Sequence, residues 1–204
     1  MLDGFWRFMR AGVVSVQGAF PEHIDTFNRA MKALGIDGKT VSVRRKRDLE
    51  GVDCLALPGG ESTTISKLLR RFDLFDDLME MGESGVPVMG TCAGCVLLSK
   101  EGDEQVIRTG TELLGLMDMS VRRNVFGRQR ESFEAMLDVK GLESPFPSVF
   151  IRAPVIERVW GDCQPYCVYD DGIVMARQGN LLALSFHPEL CADTRIHEML
   201  IGMI

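Results

Sequence analysis

Short apolar runs and longer amphipathic segments alternate along the first half of the chain. Residues 11–16, 41–43, 52–57 and 86–89 have the apolar, β-branched character of buried strands. Residues 22–34 carry apolar side chains at the three- and four-residue spacing of an amphipathic helix. Strands and helices that alternate at this interval predict a parallel sheet covered by helices on both faces.

The second half of the chain is richer in predicted strands. These strands fall near residues 115–121, 132–139, 148–158, 165–170, 173–178 and 181–186. Four further helices are predicted: 62–69, with Ser62 as its N-cap, 74–81, 93–99, and a last one over 192–203. The sequence contains no internal repeat and no linker long enough to separate two domains, so we expect a single α/β domain.

Composition narrows the class of protein. The chain has 204 residues, 46% of them apolar, which is enough for a core that needs no disulfide or metal to stabilise it. Its apolar runs are shorter than the ~18 residues of a membrane span, so we expect no membrane partner. The net charge of −6 argues against a general nucleic-acid binder, which would have to neutralise phosphates.

The six cysteines do not form the dense pattern of a small disulfide-linked scaffold. The N-terminal segment has an acidic residue, Asp3, near its start and lacks the continuous apolar region of a signal peptide. We therefore expect a cytoplasmic, reducing location, in which most of the cysteines are buried as small apolar residues.

One cysteine stands in a motif that carries chemistry. The apolar strand at 86–89 runs into Gly90-Thr91-Cys92-Ala93-Gly94, and a helical segment follows. Small residues on both sides of a nucleophile permit the tight strand-to-helix turn of a nucleophile elbow. Such a turn exposes Cys92 at a helix N-terminus, which favours the thiolate, and makes the amide of Ala93 a candidate oxyanion donor.

Two other interpretations of this motif stay open at this point. Cys92 and Cys95 form a C-x-x-C pair, which in a cytosolic α/β protein is also typical of a redox dithiol. In the other interpretation, both Cys92 and Cys95 are chemically inert. In the elbow interpretation, Cys95 lies on the helix as a packing residue.

A nucleophilic thiol needs a base, and His187 is the best candidate. It ends the apolar run 181–186 and is followed two residues later by Glu189, whose side chain shares its face if the backbone is extended. The carboxylate would then orient the imidazole while the second ring nitrogen faces the thiol. A purely structural histidine is the alternative. His197, in the last predicted helix, is expected to be structural.

A third loop, Pro58-Gly59-Gly60-Glu61-Ser62, follows the strand at 52–57. Paired glycines let backbone amides approach a ligand or an oxyanion. A phosphate-binding loop is disfavoured because no Gly-Lys-Ser/Thr is present and Glu61 would repel phosphate.

Taken together, the three loops resemble the class I (triad) glutamine amidotransferases. Within that class the sequence is most similar to the PdxT family, the glutaminase subunits of pyridoxal 5′-phosphate synthase. The motifs that carry the resemblance are QGA (17–19), LPGGESTT (57–64), GTCAG (90–94), RNVFGRQ (123–129), SFE (132–134), FIRAP (150–154) and SFHPEL (185–190). The resemblance runs from about residue 10 to the C-terminus.

The resemblance implies a three-layer, flavodoxin-like α/β fold and assigns roles to individual residues. Cys92 matches the nucleophile, His187 the base and Glu189 its orienting acid, with Gly60 and Ala93 at the oxyanion. The residues that match the glutamine-binding set are Gly60, Glu61, Ser62, Arg123, Ile151 and Arg152. No metal or other cofactor is implied.

The resemblance also implies a partner and a domain boundary. The ammonia released from L-glutamine would pass to a separate (β/α)₈ synthase subunit, whose docking would order the oxyanion loop. Residues 1–9 precede the family's usual start and are expected to be an N-terminal extension to one glutaminase domain over 10–204. The remaining alternatives are a chaperone- or protease-like protein of the same superfold with an elbow cysteine, and the dithiol redox module.

Overall fold

The computed structural model describes residues 8–123 and 132–204. Within these ranges the chain forms twelve strands and six α-helices. The strands are β1 Met9–Val14, β2 Gly38–Val43, β3 Cys54–Leu57, β4 Val88–Thr91, β5 Ser99–Gly102, β6 Met117–Arg122, β7 Ser132–Leu137, β8 Phe146–Ile151, β9 Val155–Val159, β10 Gln164–Tyr169, β11 Gly172–Gln178 and β12 Leu181–Leu184. The helices are α1 Phe20–Ala33, α2 Ser62–Arg71, α3 Phe75–Glu83, α4 Ala93–Leu98, α5 Glu104–Thr109 and α6 Arg195–Ile201.

Ten of the described strands form one sheet, in the order β2-β1-β3-β4-β12-β11-β9-β6-β5, with β10 also paired to β11. The half from β2 to β12 is parallel. Strands β12, β11, β9 and β6 pair in antiparallel fashion. A separate antiparallel hairpin is formed by β7 and β8. The predicted α/β class with a mostly parallel central sheet is confirmed.

Two apolar layers cover the sheet on opposite faces. One contains Phe27 of α1 and Leu200 of α6, packed on the alternate residues of the central strands and on the aromatic side chains of β8. The other contains Leu69 of α2, Phe75 of α3 and Leu97 of α4. The central strands β3, β4 and β12 are buried along their whole length, which explains why their sequences are continuously apolar rather than alternating.

Two sequence predictions about elements are wrong. The strand predicted over 148–158 is two strands, β8 and β9, because Arg152 between them adopts a positive φ of 42° that breaks the extended run. Ser62 is not the N-cap of α2. Glu61 takes that position, and its carboxylate accepts hydrogen bonds from the amides of Thr63 and Thr64.

Other boundaries are shifted or new. The first strand begins at Met9, two residues before the predicted start, and the sequence did not predict α5, which Asp103 caps. The last helix spans Arg195–Ile201, within the predicted 192–203. Residues 1–7 lie outside the described residues, so the extension over 1–9 and the domain over 10–204 stay predictions.

The sheet order brings the three candidate loops to one edge. Strands β3, β4 and β12 are adjacent and parallel, so the loops that follow Leu57, Thr91 and Leu184 leave the sheet side by side. Ligands of such sheets bind beyond the carboxyl ends of the strands. In the described part of the chain, no helix has the length and apolar character needed to cross a membrane.

Candidate active site

Cys92 lies on a strained turn between β4 and α4. Its φ of 49° is in the region that non-glycine residues rarely adopt. The turn is tight because two glycines bring backbones together. A Cβ at Gly90 would lie 2.5 Å from the carbonyl of Gly94, and a Cβ at Gly94 would lie 2.1 Å from the carbonyl oxygen of Leu57. The predicted elbow geometry is present, and glycine is required at both positions.

The elbow directs Cys92 into a cleft of about 450 Å³. The amide of Cys92 donates to the carbonyl of Leu184 at 2.8 Å, which ties the turn to β12. Its Sγ lies 3.8 Å from the carbonyl oxygen of Ile151. Ala93 lines the same cleft at the first position of α4, where a helix leaves its amides without intrahelical acceptors.

His187 faces Cys92 from the loop after β12. Its backbone amide donates to the carbonyl of Val149 at 2.8 Å, and its Nδ1 is 2.7 Å from Oε1 of Glu189. Burial lowers the pKa of His187, but hydrogen bonds to the side chains of Cys92 and Glu189, together with their negative charge, outweigh it and raise the pKa to about 10. The imidazolium is therefore the favoured form of His187.

Glu189 is buried behind His187, and no part of its side chain is exposed. Burial raises the pKa of this carboxyl, but the imidazoles of His23 and His187 outweigh it and lower the pKa below its ordinary value. An ionised Glu189 holds Nδ1 of His187 protonated, so Nε2 is left to face the thiol. The contact expected from the sequence is therefore present, but the extended backbone assumed for it is not, because Pro188–Leu190 form a 3₁₀ turn.

Gly59 and Gly60 form the opposite wall of the cleft. A Cβ at Gly59 would lie 2.3 Å from Cε1 of His187 and 3.3 Å from Cβ of Cys92, so only glycine lets the three loops close on one another. The carbonyl of Gly59 accepts a hydrogen bond from the amide of Ala19 at 3.1 Å. Gly60 is exposed and borders the cleft.

Glu61 and Gln17 meet beside Gly60. The amide of Glu61 donates to Oε1 of Gln17 at 3.0 Å, and a Cβ at Gly60 would lie 2.4 Å from that same oxygen. The carboxylate of Glu61 accepts from the amides of Thr63 and Thr64 at 3.0 and 2.7 Å. Burial raises the pKa of Glu61, but these hydrogen bonds outweigh it and the net pKa is lowered. Glu61 therefore borders the cleft as a carboxylate.

Arg123 connects the loop after β6 to the start of α2. Its Nη1 donates to Oγ of Ser62 at 3.1 Å, and its amide donates to the carboxylate of Asp103 at 2.7 Å. Arg152 is exposed and follows Ile151 at the turn with positive φ. The two arginines give the outer part of the cleft positive charge in a chain of net charge −6.

The structure brings all the predicted site residues together. Those that line the cleft are Gly60, Glu61, Ser62, Cys92, Ala93, Arg123, Ile151, Arg152 and His187. Glu189 lies directly behind His187. Gln17 was not assigned to the site from the sequence, although the QGA motif after β1 was its signal. Motif residues 124–129 lie outside the described residues.

Cys95 does not share the environment of Cys92. It is fully buried in the core on α4, and burial raises the pKa of its thiol. Burial also raises the thiol pKa of Cys54 to about 12 and of Cys163, Cys167 and Cys191 to about 11. Cys95 is the packing residue that the elbow interpretation predicts, which leaves no support for a reactive dithiol.

The geometry is that of a cysteine–histidine–glutamate triad on an α/β scaffold, an arrangement suited to acyl transfer through a thioester. Across the described residues, no group of three or more His, Cys, Asp or Glu side chains is placed to hold a metal ion.

Comparison with known proteins identifies the family. Residues 13–204 match the SNO glutamine amidotransferase family. The chain is 53% identical over 195 residues to the pyridoxal 5′-phosphate synthase subunit PdxT of Archaeoglobus fulgidus, covering 96% of this chain and 98% of that protein. It is 49% identical over 196 residues to the PdxT subunit of Methanosarcina barkeri, with the same two coverages. The chain belongs to the SNO glutamine amidotransferase family.

Solved structures agree with this assignment. A crystal structure of a glutamine amidotransferase is 43% identical in sequence and superimposes with a TM-score of 0.83, over 95% of this chain and 97% of that one. The PurLQS complex of Thermotoga maritima contains a chain with a TM-score of 0.59 at 19% identity, over 97% of this chain and 98% of that one, which shows that the fold is shared.

Proposed function

We propose that this chain hydrolyses L-glutamine to L-glutamate and ammonia, as the glutaminase subunit of a pyridoxal 5′-phosphate synthase. The observation that carries the proposal is the alignment of Cys92, His187 and Glu189 at the elbow, with a 2.7 Å hydrogen bond between the histidine and the glutamate. Relatives at 53% and 49% identity are themselves pyridoxal 5′-phosphate synthase subunits.

The reaction begins at the thiolate of Cys92. It attacks the carboxamide carbon of glutamine, and the oxygen that becomes negative is stabilised by the amide of Ala93 and by backbone amides near Gly60. His187 then donates its Nε2 proton to the leaving nitrogen, so ammonia departs and a γ-glutamyl thioester forms on Cys92. The now neutral His187 removes a proton from water, which attacks the thioester and releases glutamate.

The other end of the substrate is bound by the outer part of the cleft. A glutamine α-amino group is a cation that suits the carboxylate of Glu61, and its α-carboxylate suits the positive charge of Arg123 and Arg152. Ser62 and the backbone at Ile151 complete this pocket. The carboxamide, the α-amino group and the α-carboxylate of glutamine thereby all have complementary partners across a cleft of about 450 Å³.

The ammonia passes to a synthase subunit that is a separate (β/α)₈ barrel. We infer further that one glutaminase domain spans 10–204, after an extension over 1–9, and that the enzyme works in the cytoplasm. The partner orders the oxyanion loop around Gly60, so the isolated chain is a weak glutaminase.

The test is the release of ammonia from L-glutamine, measured for the purified chain with and without the synthase subunit of the same organism. We expect the partner to raise the rate several-fold. Cys92→Ala is the control: its rate falls by on the order of 10⁴-fold or more, while its circular dichroism spectrum and melting temperature are retained.

Undiminished ammonia release by Cys92→Ala contradicts the proposed mechanism. Full activity of the isolated wild-type chain contradicts only the ordering of the loop by the partner.

A further inference from the structure

The chain has three histidines, and the structure connects them in one buried series. Behind the His187–Glu189 pair, Nε2 of His23 lies 3.3 Å from Oε2 of Glu189, and Nδ1 of His23 lies 2.9 Å from Nε2 of His197. His23 is on α1 and His197 is on α6, and neither is exposed. The mechanism proposed above uses neither of them.

His23 also contacts the strand that leads to the nucleophile. Its Nε2 is 3.1 Å from Oγ1 of Thr91, the residue immediately before Cys92. The same ring nitrogen therefore lies between Thr91 on β4 and Glu189 on the loop after β12. Oε2 of Glu189 has no hydrogen-bond partner among the described residues, so its 3.3 Å contact with Nε2 of His23 is electrostatic and lies beside the 3.1 Å hydrogen-bond contact of that nitrogen with Thr91.

The distances select one pair of tautomers. A carboxylate oxygen 3.3 Å from Nε2 of His23 requires a proton on that nitrogen, since a lone pair there would be repelled. Nδ1 of His23 is then an acceptor, so Nε2 of His197 carries the proton of their 2.9 Å hydrogen bond. Nδ1 of His197 has no partner among the described residues. In this tautomer it is a lone pair, whereas the reverse order would leave a buried N–H without an acceptor.

Burial disfavours the charged form of both imidazoles. Burial lowers the pKa of His23, against the opposing charge of Glu189, and His187 and Glu22 are its other charged neighbours. Burial also lowers the pKa of His197 well below its ordinary value, and His23 and Arg29 act in the same direction. Phe27 packs edge-on against the ring of His197 with 4.8 Å between centroids. Glu189 itself is faced by His187 and His23, with Cys191 nearby.

We propose that His23, oriented by His197, is a positioning residue of this site: its Nε2–H supports Oε2 of Glu189 and Oγ1 of Thr91, so that the orienting acid and the elbow strand keep a fixed relation. The inference rests on the proposed function in that Glu189 acts through His187. Without this donor the second oxygen of a buried carboxylate has no N–H facing it, so Glu189 is a weaker partner for the imidazolium of His187.

The variants are chosen to separate the effect of losing the N–H donor of His23 from the effect of changing the packing around it. His23→Leu removes the N–H, and His23→Gln keeps an amide donor at a similar distance from the backbone. His197→Leu removes the group that orients His23. Met31→Ala is the matched control, because Met31 is a buried residue of the same helix that packs elsewhere in that apolar layer.

Two readouts are needed. The first is kcat and KM for ammonia release with the synthase subunit present. The second is independent of glutaminase activity: the rate at which iodoacetamide alkylates Cys92 as a function of pH, followed at that peptide by mass spectrometry. The acidic limb of this profile reports the pH at which the thiolate–imidazolium pair forms.

In His23→Leu we expect kcat to fall on the order of tenfold with KM unchanged, and the acidic limb of alkylation to move up by about one pH unit. In His197→Leu the acidic limb moves in the same direction by a smaller amount. In His23→Gln it returns most of the way to its wild-type position, and in Met31→Ala it does not move.

An acidic limb in folded His23→Leu that matches Met31→Ala overturns the proposal, as does a Gln variant no better than Leu. If His23→Leu does not fold, the acidic limbs of His23→Gln and His197→Leu decide instead. A wild-type limb in His23→Gln together with a shifted limb in His197→Leu supports the proposal, and any other combination overturns it. A wild-type chain that releases no ammonia contradicts the proposed function instead, while the alkylation profiles still decide the role of His23.

Discussion

The cleft has two halves that are built differently. The buried half consists of Cys92, His187 and Glu189, whose positions are set by backbone contacts that only glycine permits and by hydrogen bonds away from solvent. The open half consists of Glu61, Ser62, Arg123 and Arg152, where the carboxylate of Glu61 and the guanidinium of Arg152 belong to exposed residues. The residues of both halves line the same cleft, except Glu189, which lies behind His187.

The difference teaches how rigidity is distributed over the site. In the buried half a shift of a few tenths of an ångström produces a steric clash, so the reacting groups are held in place before substrate arrives. In the open half Glu61 and Arg152 are exposed, so these two side chains can adjust around a ligand at little cost, whereas Ser62 is buried and Arg123 is mostly buried. We therefore expect changes in the buried half to lower kcat and changes in the open half to raise KM.

The largest expected effect is that of Glu189→Gln. An amide cannot stabilise the imidazolium of His187 and does not hold the tautomer that faces Cys92, so we expect kcat to fall on the order of 10³-fold with KM little changed. Steady-state glutaminase kinetics with the synthase subunit measure this. Glu80→Gln, an exposed residue of α3, is the control and should be neutral. A raised KM with an unchanged kcat would contradict the assignment of Glu189 to the buried half.

Glu61→Gln tests the open half. The amide oxygen can still accept from Thr63 and Thr64, but the negative charge that we assign to the substrate ammonium is lost. A charge-assisted contact of about 1.4 kcal/mol corresponds to a tenfold change, so we expect KM for glutamine to rise about tenfold with little change in kcat. Loss of cap strength should lower the free energy of unfolding by about 1 kcal/mol or less. An unchanged KM would mean that Glu61 caps α2 but does not bind the substrate.

The buried half also predicts a dependence of stability on pH. The folded chain holds the His187 proton up to a pKa of about 10, whereas the ordinary pKa is 6.5. The stabilisation from this group is therefore complete below pH 6.5 and is lost as the pH rises toward 10. Urea unfolding midpoints of the wild type between pH 6.5 and 10 should fall, and those of Glu189→Gln should fall less. If the midpoints of the wild type and of Glu189→Gln fall equally over this pH range, the His187–Glu189 pair does not stabilise the fold.

The smallest effect is expected for Cys95→Ala, three residues after the nucleophile. Cys95 is buried in the core beyond the cleft, so kcat and KM should stay within about twofold of the wild type, with about 1 kcal/mol lost from the free energy of unfolding for the small cavity. A kcat reduced as strongly as in Cys92→Ala would revive the dithiol interpretation, and formation of a disulfide between the two cysteines on mild oxidation would do the same.

Much of the fold and the site could be predicted from the sequence, because both depend on local patterns. Continuous apolar runs mark strands buried on both faces, and the residues after those runs lie at the carboxyl edge of a parallel sheet. The elbow around Cys92 and the two-residue spacing of His187 and Glu189 are also local. The contact of His187 with Glu189 was predicted and is present at 2.7 Å, although a 3₁₀ turn over Pro188–Leu190 makes it, and not the extended backbone assumed for it.

The misses have a common cause. Arg152 breaks a strand-like run by adopting a positive φ, and Pro154 two residues later was the available signal of that break. Glu61 displaces Ser62 as the cap of α2, since its longer side chain reaches two amides from a position that the sequence assigned to the substrate alone. In both places two local signals compete, Pro154 against the strand-like run and Glu61 against Ser62 at the start of α2, and local preference leaves the outcomes nearly equal.

The sequence by itself determined the class of fold and the family and proposed a nucleophile and its base, because strand and helix periodicity and tight turns depend on neighbouring residues. Only the tertiary structure decided that β3, β4 and β12 are adjacent, which brings Gly59, Cys92 and His187 into contact. Only the tertiary structure, likewise, joined His23 to His197, which is 174 residues away in the chain, behind Glu189. The physical reason is that such contacts depend on which elements share a layer, and no local pattern carries that information.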